Sequence, residues 1–420
     1  SKGAKIHIGH SVDNLPKKCI IVVSSVIKDD NPELKFAKEN GFEILHRSDL
    51  LSKISRGMCG AKKKYFLGFS GTHGKTTTSG LCSYVLEKSG LKPSYVVGGT
   101  IPEIGTNAKA GNGDFFVAEL DESDGTIVKY SPEISIINNI EKDHVDFYKN
   151  GLASLIETFS TYLSTLSDDA RVIVNDDNEG TKLLREANKD REFITFGLSD
   201  NADYVAKNIK FEFGETTFDI YFKNEFLTSM KTQLFGIHNV YNVLAVFAGL
   251  HQANVNVEEV KKHFYTFTGM GRRFQLSAKL GKICVYDDYA HHPSEIKATL
   301  SALQTFKERR KVVVFQPHRY SRLQGLWKEF LGAFDTVDRV YVTDVYAASE
   351  PPIDGVTSEA FEKDLESKGI PCKYLSGSIA DVAKKLAPDL KENDVVIGVG
   401  AGTITALGKE LLACKNEVKV

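Results

Sequence analysis

The sequence predicts an α/β protein of three domains, built on largely parallel sheets. Its 420 residues are too many for one hydrophobic core and suit two or three domains. Short apolar runs alternate with helical segments along most of the chain, which is typical of parallel strands covered by helices on both faces. A glycine-rich loop that carries a lysine, Gly71–Thr78, lies between one such strand and a helix, and it indicates a phosphate-binding domain.

Composition narrows the class of protein and its partners. The hydrophobic share of 42% and the charged share of 26% are those of an ordinary globular protein. A formal net charge of −2 gives no overall attraction to nucleic acid or to an anionic membrane, and no apolar run is long enough to span a bilayer. The six cysteines are scattered without a C-x-x-C pair, which indicates reduced thiols in a cytoplasmic protein. We therefore expect no nucleic-acid or membrane partner and only local anion sites.

Residues 1–60 are expected to form the remainder of a small α/β domain. An apolar strand at Cys19–Ser24, a helix at Pro32–Asn40 and a strand at Phe42–Leu45 make half of a nucleotide-binding-type unit. No G-x-G-x-x-G turn precedes the first strand, so we interpret this domain as truncated at its start.

Residues 61–275 are expected to form a central nucleotide-binding domain. Helical spacing at Thr76–Ser89 follows the glycine-rich loop. Further apolar strands are expected at Phe115–Ala118, Ile134–Ile137, Val172–Val174 and Phe193–Phe196. Alternating residues around Gly214–Thr216 predict a β-hairpin with one wet face. A helix at about Val240–Gln252 follows, with Asn239 as its candidate N-cap.

Residues 276–420 are expected to form a second doubly wound α/β domain. Its predicted strands are Ile283–Tyr286, Val312–Phe315, Val340–Val342 and Val395–Ile397. Helical segments lie between them, such as Pro293–Phe306 and Ser358–Lys368.

The string G-T-H-G-K-T-T-T at Gly71–Thr78 has the residue types that a phosphate site needs. Glycines let backbone N–H groups approach the phosphate, and the start of the following helix adds positive potential. Lys75 can reach the β- and γ-phosphates, and the hydroxyl of Thr76 or Thr77 can bind Mg²⁺. Phe69 stands where the standard motif has glycine, so the alternative is a surface turn that merely contains G-K-T. The strand–loop–helix context favours the phosphate site.

Acidic and polar side chains follow two strands of the central domain. Glu119 heads the acidic run Glu119–Asp124 and is a candidate Mg²⁺ ligand, the alternative being a solvated acidic turn. The run Asn138–Asp146 contains His144, which can ligate a divalent metal or can be an ordinary, partly buried histidine. Because parallel strands end at one edge of a sheet, both runs are expected beside the phosphate loop.

Two further groups lie ahead of the last domain. His238, Asn239 and Asn242 stand at the start of a predicted helix, where amide side chains can read the edge of a purine base. Arg272 and Arg273 lie beside glycines at the expected domain boundary. They can brace a transferring phosphoryl group, or one of them can form an ion pair that fixes the turn.

A cationic pocket is expected at the strand ends of the last domain. Tyr289 and His291 follow its first strand, and Arg319 and Arg322 follow its second. A guanidinium fork binds a carboxylate bidentately, so this pocket suits a carboxylate ligand. The same edge carries Asp344, Glu350 and Gly398–Thr403. A phosphate loop and a carboxylate pocket together favour ATP-driven activation of a carboxylate followed by attack of an amine, and no nucleophile elbow points to a covalent route.

These motifs together resemble those of the Mur ligase family. In chain order they are G-T-H-G-K-T-T-T, E-L-D-E-S-D, N-N-I-E-K-D-H-V-D, G-I-H-N-V-Y-N, G-R-R-F-Q, D-D-Y-A-H-H-P and Q-P-H-R-Y-S-R, and they cover essentially the whole chain. The resemblance implies three domains: an N-terminal Rossmann-like domain for a UDP-sugar, a central P-loop ATPase-like domain for ATP, and a C-terminal Rossmann-like domain for an amino acid.

The resemblance also implies roles for individual residues. The catalytic set would be Lys75, Glu119, His144 and Arg273, and the Mg²⁺ ligands would be Thr76, Glu119 and His144. ATP would be bound by Gly71, Thr72, His73, Gly74, Lys75, Thr76, Thr77, His238, Asn239, Asn242 and Asp288. The amino acid would be bound by Tyr289, His291, Arg319 and Arg322. The UDP-sugar would be oriented by Asp121, Ser123 and Asp124.

The implied activity is ATP-dependent amide-bond formation in peptidoglycan precursor synthesis, with ATP and Mg²⁺ as cofactors. UDP-N-acetylmuramate and L-alanine would be the substrates, with the lactyl carboxylate activated as an acyl phosphate. The enzyme would be a monomer or weak dimer in the cytoplasm. Two alternatives stay open: a ligase that attaches a murein tripeptide to the same UDP-sugar, and a P-loop protein that uses ATP as a conformational switch.

Overall fold

The computed structural model describes residues 3–142, 147–212, 215–271, 274–304, 306 and 308–414. His144, Arg272 and Arg273 lie outside the described residues, as does Gly214 of the predicted hairpin turn, so their expected roles stay predictions. Among the helices of the described part of the chain, none is both long enough and apolar enough to cross a membrane.

The first 60 residues contain strands β1 (Ile20–Val23) and β2 (Glu43–His46) and helices α1 (Pro32–Glu39) and α2 (Arg47–Ser55). The next strands are β3 (Tyr65–Ser70), β4 (Ser94–Ile101), β5 (Thr106–Lys109), β6 (Phe115–Glu119), β7 (Ile134–Ile137), β8 (Arg171–Asn175), β9 (Phe193–Gly197), β10 (Tyr204–Glu212), β11 (Glu215–Phe222) and β12 (Glu225–Thr232). The helices among and after them are α3 (Lys75–Lys88), α4 (Leu152–Ser164), α5 (Glu179–Ala187), α6 (Ile237–Gln252), α7 (Val257–Val260) and α8 (Lys262–Thr266).

The rest of the chain again alternates strands with helices. Its strands are β13 (Gln275–Leu280), β14 (Ile283–Asp288), β15 (Lys311–Phe315), β16 (Arg339–Thr343), β17 (Cys372–Leu375) and β18 (Val395–Val399). Its helices are α9 (Pro293–Leu303), α10 (Tyr320–Gly325), α11 (Trp327–Leu331), α12 (Ser358–Ser367), α13 (Ile379–Leu386) and α14 (Leu407–Ala413). Short 3₁₀ helices lie at Val12–Asn14, Thr126–Lys129, Ala387–Asp389 and Thr403–Ala406.

The chain divides into two compact units made of interleaved segments. The first comprises Ser1–Gly98, Ala108–Tyr204 and Ala245–Val257. The second comprises Gly99–Asn107, Val205–Leu244 and Glu258–Val420. Each compact unit combines segments that are distant in sequence. The domain boundaries expected near residues 60 and 275 therefore stay a prediction.

Strand β3 is central to the first unit. The strand order there is β9-β8-β7-β3-β6-β4, with parallel pairing throughout, and Phe66 and Phe69 of β3 are buried. Phe69 pairs with Glu119, and Ser70 pairs with Ile137, so β3, β6 and β7 end level with one another. The loops that follow these three strands therefore meet at one edge of the sheet, as the sequence predicts.

The second unit contains a six-stranded sheet in the order β13-β14-β18-β15-β16-β17. Among the described pairings of this sheet, β13 and β14 pair antiparallel and the other neighbours pair parallel. Val312 and Val314 of β15 belong to one apolar cluster, whereas Val313 and Phe315 belong to another. Because successive side chains of a strand point to opposite faces, this sheet is covered by apolar packing on both sides. The unit also contains the neighbouring strands β10, β11 and β12, of which β11 and β12 pair antiparallel.

Most predicted elements are confirmed with shifts of one to three residues at their ends. One detail is wrong: Asn239 does not cap α6, because this helix already begins at Ile237 and Asn239 lies in its first turn. A second detail is also wrong: Glu119 is the last residue of β6 and not the first residue after the strand. Strands β4, β5, β12, β13 and β17 were not expected from the sequence.

Candidate active site

The glycine-rich loop runs from the end of β3 to the start of α3 and lies against the end of β7. Gly71 has φ +120°, and a Cβ there would lie 2.7 Å from the backbone oxygen of Asn139. Thr72 donates its N–H to that same oxygen at 3.1 Å. Gly74 precedes α3 with a left-handed backbone at φ 81°. Only glycine fits the first position without displacing the end of β7, because both its φ and its surroundings disfavour a side chain.

Two asparagines at the end of β7 brace this loop. The side chain of Asn139 accepts the His73 N–H at 2.7 Å and donates to the His73 carbonyl at 3.2 Å. Asn138 donates to the Thr78 hydroxyl at 3.1 Å. The Oδ1 atom of Asn138 is buried and has no hydrogen-bond partner within the described residues. The end of β7 therefore sets the conformation of the phosphate loop.

Lys75, the first residue of α3, is paired with a buried carboxylate. Its Nζ lies 2.9 and 3.0 Å from the two carboxylate oxygens of Glu122 and donates to the Gly71 carbonyl at 2.7 Å. The Glu122 side chain is completely buried. Burial alone would lower the pKa of Lys75, but Glu122 and then Asp121 hold this pKa above its usual value. Lys75 therefore remains a cation in the loop.

A hydroxyl and a carboxylate lie together beside Lys75. Thr76 donates its Oγ1–H to the Oε1 of Glu119 at 3.1 Å, and the Gly98 N–H donates to Oε2 at 2.7 Å. A Cβ on Gly98 would lie 2.5 Å from that carboxylate, so a larger residue there would displace the Glu119 side chain from its present position. Hydroxyl and carboxylate oxygens are ligands that Mg²⁺ prefers, and this donor pair fits such an ion.

The acidic residues after β6 contact the ends of β1 and β2, all within the first unit. Asp124 accepts a hydrogen bond from the Ser25 hydroxyl at 2.5 Å, and the same hydroxyl lies 3.1 Å from the Nε2 of His46. The Nη2 of Arg47 lies 3.7 Å from the Oδ2 of Asp121. Burial would raise the pKa of Asp124, but its hydrogen bonds, that of Ser25 foremost, lower it. Ser123 donates its N–H to Asp121 at 3.1 Å, so the three residues expected at the sugar lie in one short turn.

The predicted purine-reading residues lie in the first two turns of α6, in the second unit. Asn242 donates to the Oδ1 of Asn239 at 3.0 Å, and Asn239 donates to the Phe235 carbonyl at 2.8 Å. The His238 Nε2 lies 3.1 Å from the Asn239 amide nitrogen. The structure therefore brings His238, Asn239 and Asn242 into one hydrogen-bonded group.

The residues predicted to form a carboxylate pocket also lie in the second unit. The ring centroids of Tyr289 and His291 are 5.2 Å apart, and those of His291 and His318 are 5.7 Å apart. Arg322 lies with its Nη1 3.1 Å from the Nδ1 of His318. Burial, then the charges of His291, Arg322 and Arg319, lower the pKa of His318 to about 4. His318 is therefore neutral near pH 7, and its Nδ1 can accept the hydrogen bond from Arg322.

Asp288 ends β14 in the same unit, next to this pocket in sequence. Its carboxylate accepts the N–H of Phe274 at 2.8 Å and the N–H of Ala290 at 2.7 Å. Its backbone oxygen accepts the N–H of Gly400 at 3.0 Å. These bonds fix the turn that carries Tyr289, whereas the expected approach of Asp288 to a nucleotide stays a prediction.

Sequence reasoning assigned no role to several residues that shape these sites. Glu122 and Asn139 lie inside quoted motifs, and their positions two or three residues past a strand end were the available signal. Gly98 lies outside these motifs. It matters because the Glu119 carboxylate approaches it in space, and this contact leaves no signal in the sequence.

Comparison with known proteins assigns the chain and its fold to a family. The model of the Mur ligase family, catalytic domain, matches residues 1–58; that of the Mur ligase middle domain matches 69–250; and that of the Mur ligase, glutamate ligase domain, matches 272–402. UDP-N-acetylmuramate–L-alanine ligase of Geotalea daltonii is 38% identical over 410 residues, which are 98% of this chain and 88% of that protein. The enzyme of the same name from Dictyoglomus turgidum is 40% identical over 415 residues, again 98% of this chain and 88% of that protein.

Solved structures agree. The UDP-N-acetylmuramate–alanine ligase MurC of Thermotoga maritima superposes with a TM-score of 0.80 at 28% identity, covering 97% of this chain and 88% of that one. MurF ligase of Thermotoga maritima, solved in complex with ADP, shares the fold with a TM-score of 0.70 at 19% identity, covering 94% of each chain. The chain therefore belongs to the Mur ligase family.

Proposed function

We propose that this protein is an ATP-dependent ligase that joins L-alanine to the lactyl carboxylate of UDP-N-acetylmuramate, a step of peptidoglycan precursor synthesis. The observation that carries the proposal is the sheet edge at the phosphate loop, where Lys75 is paired with Glu122 and Thr76 donates to Glu119. Relatives 38% and 40% identical along 98% of the chain are named for this reaction, which supports it.

In the proposed reaction an oxygen of the lactyl carboxylate attacks the γ-phosphorus of ATP, and ADP leaves. The amine of L-alanine then attacks the carbonyl carbon of the acyl phosphate, phosphate leaves, and the nitrogen loses a proton. Lys75 would bind the β- and γ-phosphates, because its ammonium group is held in the loop as a cation. Thr76, Glu119 and His144 would hold Mg²⁺, which when bound offsets the negative charge of the phosphate oxygens.

The remaining residues are proposed to bind the three substrates. ATP would contact Gly71, Thr72, His73, Gly74 and Thr77 of the loop, together with His238, Asn239, Asn242, Arg273 and Asp288. The UDP-sugar would contact Asp121, Ser123 and Asp124. L-alanine would contact Tyr289, His291, Arg319 and Arg322, where two guanidinium groups suit its carboxylate.

The test is the substrate dependence of phosphate release. Purified protein with ATP and Mg²⁺ should release phosphate at a substantial rate only when UDP-N-acetylmuramate and L-alanine are both present. An equal rate without L-alanine would contradict the proposal and would favour the ATP-switch alternative, which needs no acceptor.

The other alternative, attachment of a murein tripeptide, is tested by comparing acceptors. The murein peptide ligase of Psychrobacter arcticus shares the fold with a TM-score of 0.64 at 18% identity, covering 97% of this chain and 88% of that one. At equal concentrations, L-alanine should give a far larger kcat/KM than the tripeptide. A preference for the tripeptide would assign the recycling reaction instead.

We also propose that the protein works in the cytoplasm as a monomer or weak dimer. Sedimentation velocity over a range of concentrations should show the mass of one chain, with at most a concentration-dependent shift toward two. A stable larger assembly at the lowest concentration would contradict this.

A further inference from the structure

Two loops of the second unit contain residues that carry a side chain and have a positive φ angle. Arg319, which precedes α10, has φ 71° and ψ 130°. In the loop after β16, Ala348 and Ser349 have φ 48° and 71°. Residues with a side chain rarely adopt positive φ, and they do so where the surrounding structure enforces it, often at functional sites.

The carboxylate of Glu350 joins the two loops. Glu350 directly follows the strained pair, and it accepts the Nε–H of Arg319 at 2.5 Å. It also accepts the N–H of Ser321 at 3.1 Å and the Ser321 hydroxyl at 2.7 Å. One side chain thus binds the start of α10 through three donors that come from both sides of Tyr320.

Backbone hydrogen bonds also join the loop before α10 to the loop after β16. The N–H of Arg319 donates to the Tyr346 carbonyl at 2.9 Å, and the N–H of Tyr346 donates to the Pro317 carbonyl at 2.8 Å. The rings of His318 and Tyr346 stack at 5.5 Å with 13° between their planes. The backbone of Arg319 is therefore held by its hydrogen bond to the Tyr346 carbonyl, and its guanidinium group is oriented by Glu350.

The negative charge of Glu350 suits it to hold the guanidinium group of Arg319. Its side chain is 18% exposed and that of Arg319 is 36% exposed. Burial would raise the pKa of Glu350, but the donors of Ser321 and the guanidinium of Arg319 hold this pKa below its usual value. Glu350 is therefore ionised at neutral pH, and its bond to Arg319 is charge-assisted and directional.

We propose that Glu350 is a positioning residue for amino-acid binding: it orients the guanidinium group of Arg319 so that this group can receive the carboxylate of L-alanine. The inference rests on the proposed function, which places Arg319 in the alanine pocket. A guanidinium is planar with donors in a fixed fork, so a bond at Nε sets the plane in which its other N–H groups point. Loosening that bond costs substrate affinity more than it costs the chemical step.

The experiment compares steady-state kinetics of Glu350→Gln and Ser321→Ala with the wild type. Glu350→Gln keeps the size of the side chain and removes its charge, and it should raise the KM for L-alanine about tenfold, the scale of one weakened charge-assisted hydrogen bond. Its kcat and its KM for ATP should stay within about threefold, because the phosphate loop is built on other residues. Ser321→Ala should raise the alanine KM by a smaller factor, because the bond between Glu350 and Arg319 remains.

Asp354→Asn is the matched control, since Asp354 is an exposed carboxylate four residues further along the same loop. It should match the wild type in every constant. In an Arg319→Ala background, Glu350→Gln should cause no further loss of kcat/KM for alanine, because it acts through Arg319. A full further loss there, or an unchanged alanine KM in Glu350→Gln, would overturn the inference.

A failure of the proposed function gives a different result from a failure of this inference. If the wild-type rate does not depend on L-alanine, the function itself is wrong. If the wild type needs L-alanine but Glu350→Gln uses it normally, only the positioning role is wrong. Thermal melting of each variant checks folding, and should Glu350→Gln not fold, the alanine KM of Ser321→Ala decides, with an unchanged value counting against the inference.

Discussion

At the scale of single residues, the pair of Lys75 and Glu122 combines a structural task with a proposed catalytic one. The carboxylate is completely buried, and the lysine is its charged partner at 2.9 Å. A buried ion pair adds little net stability as a whole, but removal of one partner leaves a desolvated charge without compensation. Stability and activity at this position can therefore be separated by mutation.

We expect Lys75→Ala to lower the free energy of unfolding by about 3–5 kcal/mol and to abolish ATP-dependent turnover. The double variant Lys75→Ala/Glu122→Gln should regain most of the stability, because it removes the buried charge, but none of the turnover. Urea unfolding and phosphate release measure the two effects. Lys38→Ala, at an exposed pair with Asp29, serves as the control and should leave the melting temperature nearly unchanged. A double variant as unstable as the single one would contradict this account.

We expect His318 to make the free energy of unfolding depend on pH. Its pKa in the folded protein is lowered to about 4 by burial and by His291, Arg322 and Arg319, although Glu350 opposes this shift. The unfolded chain, with an ordinary histidine pKa near 6.5, therefore binds the proton first as the pH falls. The neutral histidine stabilises the fold above about pH 6.5, and this contribution is lost as the pH falls toward 4.

His318→Gln is accordingly expected to flatten the acid branch of the stability curve. Between about pH 6.5 and 4, the free energy of unfolding of the wild type should fall more steeply than that of the variant. Urea unfolding at several pH values in this window measures both slopes. Parallel curves would show that His318 is not the group responsible.

At the scale of elements, the phosphate loop depends on its contact with the end of β7. Gly71→Ala would place a Cβ 2.7 Å from the Asn139 oxygen in a backbone conformation at φ +120°. We expect a loss of stability of about 1–3 kcal/mol and a loss of ATP affinity of at least about tenfold, because the loop must move away from β7.

Titration with a fluorescent ATP analogue and thermal melting would measure the effects of Gly71→Ala. Gly325→Ala is the matched control, since no atom lies within 4 Å of a Cβ built at Gly325. Normal nucleotide affinity in Gly71→Ala would show that the loop does not need this close contact.

The sequence predicted the central strands better than the others. Strands such as β3 and β18 are continuous apolar runs, which burial on both faces requires. The unexpected strands lack that pattern: β4 is interrupted by two glycines, β13 is largely exposed, and β17 contains the exposed Lys373. Their pairing is decided by neighbouring strands and not by their own composition.

At the scale of the whole molecule, the phosphate loop and the residues proposed to bind L-alanine belong to different compact units. Lys75 and Glu119 belong to the first unit, whereas Arg319 and Arg322 belong to the second. A substitution among the residues proposed to bind L-alanine is therefore expected to leave the phosphate loop largely intact.

Arg319→Ala tests this independence. It should raise the KM for L-alanine by at least about tenfold, because a bidentate guanidinium partner of the carboxylate is lost. ATP affinity, measured by calorimetry with a non-hydrolysable analogue, should stay within about twofold of the wild type. A matching loss of ATP affinity would indicate that the substitution disturbs both units.

The sequence by itself determined the α/β class, the phosphate loop and the order of the motifs, because apolar periodicity and glycine, lysine and hydroxyl spacing are local properties. Only the tertiary structure decided which side chains meet. Lys75 and Glu122 are 47 residues apart, and Arg319 and Glu350 are 31 residues apart. Such partners are set by strand register and by loop geometry, which place distant residues at the same sheet edge. The phosphate loop was therefore visible in the sequence, but the carboxylates that hold Lys75 and Arg319 in place became visible only in the fold.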